Sequence, residues 1–164
     1  MSKPIIYQLF PRYFANYNET RAYNGSKEEN GCGRFADINK RALKSIVDLG
    51  ATHVWYTGII RHATAQYNNP AITKGKAGSP YAITDYYDVD PDLAKNESKR
   101  MQEFESLVKR THEAGLGVLI DFVPNHVARE YKSVCKPEGV EDLGENDHPE
   151  WAFSPLNNFY YLPG

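Results

Sequence analysis

Cysteine is scarce: two in 164 residues, Cys32 and Cys135, far apart and outside any CxxC spacing. That spacing argues against a zinc site. Two free thiols in a reducing compartment are the expectation, with a disulfide as the other option. Long apolar runs are lacking too, and none approaches the roughly 18–20 residues needed to span a bilayer. Positive charge is not in excess. The net charge is -2, and small basic clusters such as Lys95-Asn96-Glu97-Ser98-Lys99-Arg100 are offset by acids. A nucleic-acid binder would need clustered Lys and Arg to neutralise phosphates. Met1-Ser2-Lys3-Pro4 leads directly into a strand-like segment and carries no signal-peptide pattern, so the expected location is the cytoplasm. A glycine-rich turn after the first strand, the mark of a dinucleotide site, is also missing. Phe10-Pro11-Arg12-Tyr13-Phe14 stands there instead, and Gly31-Cys32-Gly33 lies too far on.

What is present is a concentration of polar chemistry at one point. Val118-Leu119-Ile120 reads as a buried strand and runs into Asp121-Phe122-Val123-Pro124-Asn125-His126. An acid, an amide and an imidazole therefore crowd a strand's carboxyl end, where parallel α/β folds bind ligands. Aromatic residues are plentiful: twelve Tyr, seven Phe and two Trp. Many fall in loop-like segments, where flat rings with polar tips either anchor long loops or suit a half-apolar, half-hydroxylated ligand.

Three runs predict buried strands: Ile5 to Phe10, His53 to Thr57 and Val118 to Val123. None alternates strictly, which predicts parallel strands covered on both faces. Two helical patterns lie between them. The first spans about residues 38–49, with Ile38, Ala42, Leu43, Ile46 and Leu49 on one face, Asp37 as its cap and Gly50 as its stop. The second spans about residues 98–114, with Met101, Phe104, Leu107, Val108 and Thr111 inward and Gly115 as its stop. The order strand-helix-strand-helix-strand is a right-handed parallel succession. The strand-to-helix connections are long, about 25 and about 40 residues, and loops of that length carry function or line clefts. Residues 128–164 contain no further βα pattern and are rich in Pro, Gly, Asn and aromatics. Three such strands could form a small flavodoxin-like domain or the opening of a barrel, and the missing glycine-rich turn favours the barrel.

These segments resemble the α-amylase family of glycoside hydrolases. Ile6-Tyr7-Gln8-Leu9-Phe10-Pro11-Arg12-Tyr13-Phe14 is similar to that family's opening strand, and Asp48 to Tyr56 to its second. Ser79-Pro80-Tyr81-Ala82-Ile83-Thr84-Asp85 through Pro91 resembles the loop after the second strand, and Ala114 to His126 resembles the third strand and its end. The resemblance implies an α/β fold: the N-terminal portion (strands 1–3) of a (β/α)8 TIM barrel over residues 1–127. Residues 128–164 would begin the loop-rich domain inserted after the third strand. It implies retaining chemistry at α-glucosidic bonds of starch, glycogen or maltooligosaccharides, which needs two carboxylates about 5–5.5 Å apart. In this family the catalytic carboxylates follow later strands, and a complete barrel needs about 250 residues. None of Asp85, Asp88, Asp90 and Asp121 lies on a matching catalytic motif. The 164 residues alone are therefore expected to be inactive, with the C-terminal part of the barrel as their missing partner.

The resemblance also assigns roles. His126 matches a histidine that donates a hydrogen bond to a hydroxyl of the sugar at the cleavage point, and Tyr81 matches a tyrosine that stacks beneath that sugar. Asp85 braces the loop, and Asp121 orients its neighbours in the barrel mouth. Asn125 matches an asparagine whose carbonyl oxygen ligates calcium in members that bind it; no organic cofactor is implied. Two departures stand out. Trp55-Tyr56-Thr57-Gly58 lacks the proline usual near that glycine, and Gly78 stands where α-glucosidase-like members place an acid three residues before the tyrosine. The second departure leans toward an open, amylase-like cleft. The alternatives are a non-catalytic carbohydrate-binding module that uses Tyr81 and His126 and, more weakly, a metal hydrolase built on Asp121, Asn125 and His126.

Overall fold

The strand His53–Tyr56 (β2) is the spine of the molecule in a computed structural model that describes residues 3–162. It pairs in parallel with Ile6–Leu9 (β1) on one side and Gly117–Ile120 (β5) on the other, giving the order β1-β2-β5. The register runs Ile6 to His53 and His53 to Gly117, so the three carboxyl ends lie level. Level ends let the turns after all three strands share one rim.

Side chains alternate across β2. Val54 and Tyr56 are fully buried among Leu43 and Ile46 of α2 (Lys40–Asp48) and Leu107 of α3 (Arg100–Glu113). The Tyr56 hydroxyl pairs with Thr111 Oγ1 at 2.6 Å, which ties the strand to the middle of α3. Both predicted helices are present, two residues shorter at the start than expected. Asp37 does not cap α2. It closes a short 3-10 turn, Phe35–Asp37, by accepting from Arg34 N, and Asn39 caps the helix through Arg41 N and Ala42 N. The 3.6-residue pattern also overreached at the helix ends. Leu49 is 72% exposed and Met101 37% exposed, because each lies past the stretch of helix that faces the sheet.

The outer strands are not covered on both faces as predicted. Ile6 and Ile120 are each 49% exposed. In β5 the side chains move outward along the strand, and its free edge has no partner among the described residues.

The long connection after β2 contains an element the periodicity missed. Ile60–His62 (β3) and Ile83–Val89 (β4) form an antiparallel pair with register irregularities. The buried residues of β4 include Thr84, Asp85 and Asp88. Arg61 and Arg100 both reach Asp88, which anchors the hairpin to the start of α3. Arg12, after β1, bonds Asp90 at 2.9 Å and Asp92 at 3.2 Å and ties the far end of the hairpin to the first loop. A short helix, α1 (Lys27–Asn30), sits in that first loop. Beyond Ile120 the described residues contain no further helix or strand.

Candidate functional site

At the end of β5 the chain leaves the sheet at Asp121. Its Oδ1 accepts from Trp55 Nε1 at 2.7 Å and its Oδ2 from Gly58 N at 2.9 Å. Trp55 is on β2 and Gly58 two residues past its end, so one carboxylate staples the mouths of two neighbouring strands. With both oxygens engaged, Asp121 is committed to holding geometry, and a metal centre on Asp121, Asn125 and His126 finds no support.

The next residues form a short bridge that carries the polar pair. Val123 is buried, and its carbonyl accepts from the Tyr86 hydroxyl of β4. Burial pushes the Tyr86 phenol pKa up, which keeps it a donor. On the other side, Ala128 N donates to Ile83 O at 2.8 Å and Lys132 N to Thr84 O at 3.1 Å. Between these tethers Asn125 and His126 stand exposed. The His126 Nδ1 lies 2.8 Å from Asn125 Oδ1. The amide oxygen has no proton, so Nδ1 is the donor and a neutral ring presents Nε2 outward as an acceptor. A protonated ring would present Nε2 as a donor.

Asp85 is the most deeply set acid of the site, with 0% exposure. It accepts from Tyr87 N at 2.7 Å, Val134 N at 2.7 Å and Cys135 N at 3.0 Å. Three backbone donors converging on one carboxylate satisfy the buried charge and pin residues 134–135 to the hairpin. Ser133 is held from the other side by Asp142 through its amide and its hydroxyl. The segment after the bridge is thereby anchored as a wall.

Residues on either side of that anchor, Tyr131, Leu143 and Asn158 to Tyr160, line with the hairpin and the bridge a cleft of about 530 Å3. Tyr86, Tyr87, Phe122, Tyr131, Phe159 and Tyr160 give it aromatic sides, while Asn125, His126 and Asn158 supply polar groups. The Tyr86 and Tyr131 rings lie 5.9 Å apart, and Tyr131 and Phe159 6.0 Å. A cavity of that size with aromatic faces and few polar groups suits a small ligand with both an apolar and a hydroxylated surface.

Not every expected residue lines this cleft. Tyr81 is 41% exposed in the turn Ser79 to Ala82 at the start of β4, and it is not part of the cleft wall. Asn125 contributes one amide oxygen, already shared with His126. Among the described residues, the one close group of three His, Cys, Asp or Glu ligands is Asp85, Asp88 and Cys135. That group already holds cations. Burial opposes the Asp88 charge, yet hydrogen bonds from Arg100 and Arg61 keep its carboxyl below the usual range. Arg100 Nη2 also lies 3.2 Å from Cys135 Sγ. Two guanidinium groups repel a metal ion there.

Gly78, the second departure noted above, has a structural reason. Its φ is +69°, and a Cβ at that position would lie 1.7 Å from the Ala63 carbonyl oxygen. Any side chain there demands a different loop. Tyr86 went unnoticed in the sequence. The signal for it was the β-branched and aromatic run Ile83-Thr84-Asp85-Tyr86-Tyr87, which has strand character.

Comparison with known proteins gives the family of the chain. The family model described as alpha amylase, catalytic domain, matches residues 8–156. Maltase 1 of Drosophila virilis is 28% identical over 143 residues, which cover 85% of this chain and 18% of that protein. An alpha-glucosidase of Apis mellifera is 29% identical, with 98% of this chain and 21% of that protein covered. Among solved structures, an alpha-amylase from Lactobacillus plantarum superposes with a TM-score of 0.59 at 31% identity, covering 93% of this chain and 28% of that one. The chain thus spans about a fifth of the length of these curated relatives.

Proposed function

The chain belongs to the α-amylase catalytic-domain family, and from that premise we propose that it forms strands 1–3 of a (β/α)8 barrel with the helices between them, the inserted domain beginning near Ala128. The whole protein is a glycoside hydrolase that cleaves α-glucosidic bonds of starch, glycogen or maltooligosaccharides with retention of configuration. The observation that carries this reading is the pair Asn125 and His126, raised between two tethers at the level carboxyl ends of parallel strands and facing an aromatic cleft.

In this reading a hydroxyl of the sugar at the cleavage point donates to His126 Nε2 when the ring is neutral, the reverse of the direction the resemblance implies. Tyr81, which does not line the aromatic cleft, meets the C–H face of the same pyranose from outside it. Asp121 and Asp85 do not touch sugar. They fix the strand mouths and the cleft wall so that the contacts stay in place as charge develops on the sugar, the condition for stabilising a transition state. The nucleophile and the general acid, which must stand about 5–5.5 Å apart, come from residues outside these 164. Gly78 leaves no room for an acid before Tyr81, which favours a cleft open to internal bonds of a glucan chain over a pocket closed on a terminal sugar. Calcium takes about six to eight oxygens. Asn125 would supply one of them and the others would come from the inserted domain and from residues outside these 164, and no step here runs through the ion.

The test is hydrolysis of maltooligosaccharides by the natural protein that carries these residues, with and without His126→Ala. Removing a hydrogen bond that strengthens in the transition state should lower kcat/KM about 10- to 100-fold, equivalent to about 1.4–2.8 kcal/mol. Equal activity of the two proteins would sink the assignment.

A further inference from the structure

We propose that Tyr86 is a positioning residue for His126, acting through the backbone of the bridge between Val123 and Ala128. The inference rests on the reading of His126 as a sugar-holding group and names what keeps it in place.

The bridge leaves the sheet after Ile120 and contains no regular structure. It begins at Asp121, whose side chain is spent on Trp55 and Gly58. Nothing in that staple controls the direction in which the next five residues leave. The direction is set by β4, which grips the bridge at two points. One grip is backbone to backbone, Ala128 N to Ile83 O at 2.8 Å, two residues after His126. The other is the Tyr86 hydroxyl on the Val123 carbonyl, three residues before His126. Pro124 has no N–H, so it cannot add a backbone donor to this end of the bridge. Tyr86 is therefore the side-chain grip on the upstream end.

The Tyr86 ring is itself held. It packs against Tyr131 at 5.9 Å, and Asp85 next to it is locked to residues 134–135. A hydroxyl on a fixed ring defines the height of the Val123 carbonyl, and through Pro124, with its restricted φ, the exit of Asn125 and His126. Among the described residues the imidazole has no other hydrogen-bond partner than its neighbour's amide. Its placement thus depends on the backbone that carries it, and a misplacement near 1 Å at a reacting site is enough to cost a large factor in rate.

The experiment is a double-mutant cycle in the natural protein with Tyr86→Phe and His126→Ala, measured on maltotetraose. Phenylalanine keeps the ring in the cleft wall and removes only the grip. Tyr86→Phe should lower kcat about 5- to 20-fold with KM changed less than about threefold. In the His126→Ala background the same substitution should have almost no further effect, because the residue it acts through is gone. Additive losses would overturn the proposal while leaving the His126 assignment intact. Loss of the His126 effect itself would overturn the parent reading. A second measurement does not need turnover: the His126 imidazole signals in a two-dimensional NMR spectrum should shift or broaden in Tyr86→Phe. Signals identical to those of the parent protein would overturn the proposal regardless of activity.

Discussion

Replacing Asp85 gives a graded test of how the cleft wall is held. The carboxylate accepts three backbone N–H groups at 2.7, 2.7 and 3.0 Å and has no exposure to water. Asp85→Ala orphans all three donors. At the low end of about 1 kcal/mol for each unsatisfied buried group, the cost is about 3 kcal/mol. Asp85→Asn keeps one carbonyl oxygen. Turned toward Val134 and Cys135, that oxygen preserves two of the three bonds and orphans Tyr87 N alone, for about 1–2 kcal/mol. The natural protein is expected to be large, so a global unfolding energy is a poor readout. Hydrogen exchange is better, because it reports local opening. Asp85→Ala should speed exchange at Val134 and Cys135 about 150-fold, the equivalent of 3 kcal/mol at about 1.4 kcal/mol per tenfold. Asp85→Asn should leave those two amides within about tenfold of the parent. Unchanged protection in Asp85→Ala, or equal effects of the two variants, would refute this account of the wall.

Three further outcomes are expected. Gly78→Ala should lower the thermal midpoint by several degrees, since a Cβ 1.7 Å from Ala63 O at a φ of +69° forces the loop to move; an unchanged midpoint in a thermal melt would show the loop to be pliable. Asp88 has its carboxyl held low by Arg100 and Arg61 against the opposing effect of burial. Its contribution is therefore present above the unfolded-state value near 3.9 and is lost as pH falls through the lower folded value. Acid titration followed by near-ultraviolet dichroism should show Asp88→Asn weakening stability at pH 6 and losing that difference toward pH 2; a gap that persists at pH 2 would contradict the ion-pair origin. Finally, the purified polypeptide of residues 1–164 should hydrolyse no starch or maltooligosaccharide in a reducing-sugar assay, and detectable turnover would show that these residues hold a catalytic pair after all.

Much of the scaffold was legible because its signals are local. Leu43 and Ile46 on α2, and Leu107 and Thr111 on α3, repeat at helical spacing and are buried as the pattern demands. Val54 and Tyr56 occupy alternate positions of a strand and share one buried face. The β3–β4 hairpin was not legible, because its burial depends on distant partners. The resemblance gives Asp85 a bracing role, but no local pattern in the sequence marks Asp85 and Asp88 as interior. They become interior residues only when Val134, Cys135, Arg61 and Arg100 arrive from elsewhere in the chain. The exposure of Ile6 and Ile120 was illegible for the opposite reason: the apolar character is local, while the cover would have to come from other strands. At the candidate site, the hexapeptide from Asp121 to His126 does follow the carboxyl end of a parallel strand, as its sequence context implies. Its division of labour came from geometry. Asp121 faces Trp55 and Gly58, His126 faces outward, and Tyr86, which no motif singled out, grips the backbone between them.

The central claim is that His126 and Tyr81 hold one glucosyl unit of an α-glucan. It is tested most directly by a crystal structure of the natural protein with a non-hydrolysable thio-linked maltooligosaccharide. The account predicts a sugar hydroxyl within about 3.2 Å of His126 Nε2, with the same pyranose lying flat on the Tyr81 ring. A saccharide bound with His126 more than about 5 Å from every hydroxyl, or seated away from the rim of β1, β2 and β5, would contradict it.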